Sequence, residues 1–420
     1  MNRCPALILG ALVLLTGCPG PSAPVDVEVL HYDLDAQEWK LMISTLETVR
    51  DLDHLTGDYF DLLGNQFVAP DALANPVEDP AEATVENMRE SMYERPGEEV
   101  QLAYDFVTEN GRQVAKANDY ESLAMMTVFH DYEKVWIFFR DVVLDSSSAT
   151  TQRTIVGFYA QVGATIGIPI PVLSSDNAAY VSLTDSFVVL RTGLVGGVPL
   201  SLNAGVIAHE FSHRVFHHNV FGGAAFSNWY IKENVEAQSR DAVDTRTSVL
   251  LSALNEGMSD INGTGFTHRA NFIADSLQGA LAEGTRLQRD LEGEFADYAT
   301  YENMKYDGFT PSGFDRDVCG GGSDDYSRGD WNFYCLGTIW ARALWDGAGR
   351  DVEVLKADIL PALNRAERRL GDQLAAEWHF DFDQIIDLTV LEAPAGRQAA
   401  LCAAFTAKFA ELMPQVASCP

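Results

Sequence analysis

Ala208-His209-Glu210-Phe211-Ser212-His213 is the stretch on which the reading of this 420-residue chain turns. Val206, Ile207, Phe211 and Val215 surround it at helical spacing, so the segment reads as a helix with a buried face. On a helix, two histidines four residues apart project from the same side. Their rings can then share one Zn²⁺ at about 2.0–2.1 Å from each nitrogen. Glu210 lies beside them without ligating. It can take a proton from water and later pass it to a leaving amine.

A catalytic zinc needs a third protein ligand and one open position. At metzincin spacing the next ligand would fall at residue 219, which is Asn219, and Phe216 stands where that pattern needs Gly. His217 repeats the four-residue step from His213. Three rings in line along one helix do not close a tetrahedron, so His217 and His218 are read as solvent-facing or as support behind the ligands. Asn255-Glu256-Gly257-Met258-Ser259-Asp260 offers a better set. Glu256 and Asp260 are again four apart and share a face. Glu256 would complete a His₂Glu site, and Asp260 would accept the spare ring N–H of His209 and fix its tautomer.

With both motifs in this order the chain resembles the gluzincin peptidases, thermolysin-like with fungalysin-like features, in islands between about residues 120 and 420. Asn177-Ala178-Ala179-Tyr180 resembles the family's edge strand, which implies that the backbone at Asn177 and Ala178 holds an extended peptide. Pro199-Leu200-Ser201 ahead of the zinc helix is similar to thermolysin relatives. Arg289-Asp290-Leu291 resembles the segment whose Arg binds a substrate carbonyl. Gly337-Thr338-Ile339-Trp340 and Leu344-Trp345-Asp346 resemble a fungalysin helix near the site. The resemblance implies a zincin catalytic domain with a strand-containing N-terminal subdomain, a central zinc helix and a mostly helical C-terminal subdomain.

The chain also departs from that pattern. Forty-two residues separate His213 from Glu256, which implies an insertion over about 217–250. Tyr334 takes the position of the family's transition-state His, with Asp330 near the place of that residue's carboxylate partner. A phenol can still donate to an oxyanion. Tyr230, inside the insertion, is a candidate for the family's other oxyanion Tyr, beside a core or loop reading. Gly205 replaces the Asp of calcium-dependent relatives, so a structural Ca²⁺ is left open.

The amino terminus places the protein outside the cytoplasm. Arg3 precedes an apolar run from Leu7 to Leu15, too short for a membrane span. Leu15-Thr16-Gly17-Cys18 resembles a bacterial lipobox, which implies cleavage after residue 17 and lipid on Cys18. Residues 19–24, rich in Pro, form a tether. Net charge is −32, with 29 Lys+Arg against 61 Asp+Glu, and loss of Arg3 makes the mature chain one unit more negative. Such acidity excludes nucleic acid as a partner and charge-driven binding to anionic membranes. A hydrophobic fraction of 47% excludes a disordered acidic tail. Of the cysteines that remain, Cys319, Cys335, Cys402 and Cys419 are expected to form disulfides, with Cys319–Cys335 and Cys402–Cys419 the local pairing among three alternatives.

Organisation is uneven. Residues 18–119 read as tether plus a mainly helical and acidic region, with helical patterning at Trp39, Leu41, Met42, Leu46 and Val49. Residues 69–100 carry Pro70, Pro76, Pro80 and Pro96 and read as an irregular excursion, a candidate cleavage region if an inhibitory propeptide precedes the catalytic domain. A helix is expected over 120–143, strands over 154–160, 178–183 and 186–191, and helices beyond residue 204. His31, His54, His130, His268 and His379 have no partner pattern and read as structural or surface residues. There is no internal repeat. The fold class is α+β. The expected function is zinc-dependent hydrolysis of peptide bonds on a peptide or protein substrate, by an exported, lipid-anchored enzyme. The alternative is a catalytically weakened zinc-site lipoprotein that binds peptides or partners.

Overall fold

The computed structural model describes residues 24–33, 36, 38–68, 85–143, 148–162, 178–190, 198–222, 245–274, 276, 289–304, 306–307, 310–311 and 333–419. The chain opens in strands. β1 (Val25–Asp33) pairs antiparallel with β2 (Glu38–Leu46) from Val25↔Leu46 to Asp33↔Glu38. Short strands follow: β3 (Val49–Asp51), β4 (Thr56–Gly57), β5 (Phe60–Gly64) and β6 (Phe67–Val68). The helical patterning expected here is therefore corrected to strands. Val25, Val27 and Val29, like Trp39, Leu41 and Ile43, alternate with period two, and partner strands decide between the two spacings. The irregular reading of 69–100 is corrected in part. Helix α1 (Val85–Met92) and strands β7 (Tyr93–Arg95) and β8 (Glu98–Glu99) occupy its second half, while 69–84 lies outside the described residues.

β9 (Tyr104–Glu109) and β10 (Arg112–Ala117) complete a four-stranded sheet in the order β2-β1-β10-β9. Helix α2 (Tyr120–Phe138) follows, capped by Asp119, whose side chain accepts the Ser122 N–H at 2.7 Å. Most of its surface is buried because it lies against β1 on one side and the zinc helix on another. Thr127 Oγ1 accepts the Leu30 N–H at 2.9 Å, and Glu133, fully buried, accepts the Thr48 N–H at 2.6 Å.

The larger sheet runs β12-β13-β11-β5-β4-β3. β11 (Thr154–Val162) lies parallel to both β5 and β13 (Ser186–Leu190), and β12 (Ala178–Val181) forms the antiparallel edge. Strands from both sides of residue 120 thus share one sheet. The expected strands over 154–160, 178–183 and 186–191 are present with small changes in their ends.

Beyond residue 203 the described chain is mainly helical: α3 (Ala204–Val220), α4 (Thr245–Thr267), α5 (Phe333–Gly347), α6 (Leu360–Ala376), α7 (Phe382–Glu392) and α8 (Ala395–Phe409). The whole is a mixed α and β protein, as its residues lead one to expect. Cys402 and Cys419 form a disulfide that pins the C-terminus to α8. Cys319 of the other expected pair lies outside the described residues, and Cys335 is buried in α5.

The crossing of α4 and α5 is set by two glycines. A Cβ on Gly257 would lie 2.3 Å from the Gly337 carbonyl oxygen, and one on Gly337 would lie 2.7 Å from the Ala253 oxygen. Backbone meets backbone, so no rotamer change can make room. Gly257 directly follows Glu256, so this contact fixes the height at which that carboxylate leaves α4. Gly257→Ala is expected to cost about 1–3 kcal/mol of stability and to lower metal content. Gly396→Ala, whose Cβ would meet nothing within 4 Å, should cost neither. Denaturant titration and metal analysis of the two variants check this.

Candidate metal centre

Helix α3 begins at Asn203, whose side chain accepts the Gly205 N–H at 2.9 Å and the Val206 N–H at 3.3 Å. Gly205 has no room for an acidic side chain. A Cβ there would lie 2.8 Å from both the Phe272 oxygen and Thr267 Cγ2. One turn further on, His209 and His213 present their rings on the face toward α4. Their Nε2 atoms are 3.0 Å apart. Glu256 Oε2 is 3.4 Å from His209 Nε2, and its Oε1 is 3.7 Å from His213 Nε2. All three donor atoms lie within 4.8 Å of one another, and this is the one His/Cys/Asp/Glu group of that kind among the described residues.

The other nitrogen of each ring is engaged. Asp260 Oδ1 accepts from His209 Nδ1 at 3.1 Å, the arrangement expected of that pair. Asn255 Oδ1 accepts from His213 Nδ1 at 2.9 Å, with Ser259 Oγ at 3.0 Å. With Nδ1 engaged in this way, each ring turns its Nε2 toward the other, and Arg289 Nη2 lies 3.3 Å from that of His209. Two lone pairs at the separation of the Nε2 atoms repel unless a cation or a proton lies between them. Nitrogens bound to one tetrahedral zinc stand about 3.3 Å apart, so the set fits such an ion.

Charge around the rings says the same. Burial and the Arg289 charge oppose protonation of His209, but Asp260 and Glu256 outweigh them and raise its pKa to about 9. Burial works against ionisation of Glu256, yet His213, His209 and Arg289 overcome it and hold the carboxyl at about 2.

Arg289 sits 5% exposed in this cluster. Its Nη2 donates to Glu256 Oε2 at 3.1 Å and to Asp260 Oδ1, and its Nε lies 3.1 Å from the same Asp260 oxygen. The guanidinium carbon is 4.9 Å from the Tyr334 ring centre. The Glu256 charge and burial push the Tyr334 phenol above its ordinary range, so it stays a hydrogen-bond donor. Tyr334 is 38% exposed. Phe272 stacks on the His209 ring at 5.5 Å and 11°.

Glu210 points away from α4 toward the sheet. Its Oε2 accepts the Tyr180 N–H of β12 at 2.8 Å. Ala178, buried at the start of β12, is thus two residues from the strand's contact with Glu210. Asn177, Tyr230, Asp330 and Cys18 lie outside the described residues.

The opposite side of α3 carries a polar anchor that the motifs did not reveal. Arg214, 1% exposed, donates to Asp185 through Nε at 2.7 Å and Nη2 at 2.9 Å, and to the Gln152 oxygen at 3.1 Å. His218 Nε2 and the Tyr180 hydroxyl reach the same carboxylate at 3.2 and 3.0 Å. Burial alone would raise the Asp185 pKa, but the Arg214 charge and hydrogen bonds hold it well below the usual range. The solvent-facing reading of His217 and His218 is corrected: both are buried, because β12 and the C-terminal helices cover this side of α3. Burial pushes His217 down to about 3, so it is neutral. His130 is likewise structural, with Nε2 2.8 Å from Ser44 Oγ and Nδ1 2.9 Å from Asp131. His54 pairs with Asp51 on the surface. The clue to the anchor was Arg214 itself, a cation on a face whose neighbours Phe211 and Val215 are core residues.

No protein-family model and no curated protein matches the sequence. Among solved structures the chain is similar to the precursor of protealysin, a metalloproteinase from Serratia proteamaculans, with a TM-score of 0.37 and 13% identity over 74% of this chain and 84% of that one.

Two outcomes are expected. A metal that displaces the proton between the histidines should bind about tenfold more tightly for each unit of rising pH below about 9. Zn²⁺ titrations at about pH 7 and pH 8 measure this, and equal affinities would mean that no proton is displaced. Asp185→Ala strands a buried guanidinium and should cost about 3–5 kcal/mol in denaturant unfolding.

Proposed function

We propose that the chain is a zinc-dependent endopeptidase with the thermolysin-like, gluzincin arrangement of ligands. The observation that carries this is the His209–His213–Glu256 triangle with Glu210 held beside the edge strand. His209, His213 and Glu256 would hold the ion through two Nε2 atoms and a carboxylate oxygen. When bound there, Zn²⁺ would supply a Lewis acid for the scissile carbonyl and lower the pKa of water.

The chain's own residues divide the remaining work. The Tyr180 N–H fixes one oxygen of Glu210, which leaves the carboxylate's second oxygen to take a proton from the attacking water and deliver it to the departing amine. β12 ends the large sheet, so its outer edge can accept an extended peptide as a further strand beside Asn177 and Ala178. The Tyr334 hydroxyl would donate to the developing oxyanion. Arg289 is bound to Glu256 and Asp260, so its first task is to steady the ligand carboxylate and the partner of His209. A substrate carbonyl would take a donor that these bonds leave over. We further propose export and lipid anchoring through Cys18.

Glu210→Gln should bind zinc normally and lose peptide hydrolysis by about 10²–10⁴-fold. A chelator should abolish hydrolysis of casein, and Zn²⁺ should restore it. Stoichiometric zinc without turnover on any unfolded protein would favour the peptide-binding alternative, which the Tyr at position 334 makes the natural second reading.

A further inference from the structure

Large apolar side chains on the described surface gather on one hairpin. In β2, Trp39 is 39% exposed, Leu41 58%, Met42 37% and Ile43 40%. Trp39, Leu41 and Ile43 are alternate residues and share the outer face. Their register partners on β1 include Tyr32, opposite Trp39, and Leu30, opposite Leu41, both half-buried. The Tyr32 and Trp39 rings meet edge to face at 5.3 Å. The inner face of β1 is covered, with Val27 and Val29 fully buried beneath α2. β2 is also an edge strand, so its outer border has no sheet partner among the described residues. Soluble proteins shield or charge such an edge. On β2 itself the charged side chains lie near the tip, where Lys40 pairs with Asp33 and Glu38, while on β1 Glu28 stands opposite Ile43 and pairs with Lys116 at 2.8 Å.

We propose that this face is a second membrane contact, seated shallowly on an uncharged lipid surface. The proposal rests on the reading of Cys18 as the lipid-bearing residue. Seven residue steps separate Cys18 from Val25, so the lipid can stand at most about 25 Å from the start of β1. The apolar stripe extends along β1 and β2 for about the same distance from that point. A bilayer holding the lipid is therefore within reach of the stripe. Tyr and Trp with an adjacent Lys are the residues that settle at the boundary between headgroups and acyl chains. A net charge of −32 excludes attraction to anionic lipid, so the apolar face must carry the contact by itself. The lipid on Cys18 holds the protein at the bilayer, and a second contact of this kind would stop it from swivelling on its tether.

The test uses the mature chain from residue 18 onward with Cys18→Ser, which lacks the apolar run over 7–15 and cannot be acylated, and phosphatidylcholine vesicles. Flotation should show weak partition that does not rise when phosphatidylserine is added and does not fall with salt. Leu41→Asp with Ile43→Asp should lower that partition by about tenfold or more, and Trp39→Ala by less. Both positions are exposed, and unchanged circular dichroism and zinc content confirm folding. Absence of partition by the Cys18→Ser chain overturns the proposal. So does a dimer that the Leu41→Asp/Ile43→Asp pair dissolves, because a second copy would then cover the edge. Whether Cys18 is acylated is decided separately by mass analysis of the native protein, so failure of the anchor reading cannot be mistaken for failure of this one.

Discussion

The molecule depends on how α3 is held. A helix carrying on one face two histidines that could hold a metal has to be immobile if their nitrogens are to keep their spacing. Arg214 does this from the opposite face. It is a guanidinium with almost no exposure, and its cost of burial is offset because Asp185 and the carbonyls of Ala149 and Gln152 meet its donors. Asp185 lies in the turn between β12 and β13 and takes a left-handed backbone at φ 43°. The same carboxylate therefore ties the edge strand to the helix. The spacing between Glu210 and the backbone of β12 follows from that tie.

On its other face α3 meets α4, and the contact is again decided by groups that cannot move. Gly257 and Gly337 let the backbones of α4 and α5 touch. Glu256 and Asp260 then leave α4 one turn apart and meet the two rings from the side. Asn255 and Ser259, on the neighbouring strip of the same helix, meet His213. Four polar side chains within two turns of α4 thus serve two histidines on α3. Arg289 closes the group by neutralising carboxylates that would otherwise repel each other at close range.

The parts of this site legible in the sequence are those in which chemistry is compressed into one helical turn. His209, Glu210 and His213 need no partner to be recognised, and Glu256 with Asp260 repeats the spacing. Contacts made by backbone were not legible. No side chain announces that the Tyr180 N–H reaches Glu210, or that Asp185 would find Arg214 across 29 positions. The amino-terminal strands were misread for a related reason. Apolar residues at 39, 41, 42, 46 and 49 fit helical and alternating spacing almost equally, and β1 settles the matter by pairing along the full length of β2. Tyr334 was placed by the resemblance alone, and the structure brings it to Arg289.

The parallel pairing of β11 with both β5 and β13 has a consequence for the order of assembly. During synthesis β5 emerges almost a hundred residues before β11, and β13 follows later still. Until then the early strands have unpaired borders and an uncovered apolar side. Such non-local topology makes folding slow and leaves time for wrong partners. It also means that a cut after β5 would not by itself free the strands before it: β5 would stay paired with β11, much as a nicked protein keeps its shape, and those strands could leave only if the sheet opened.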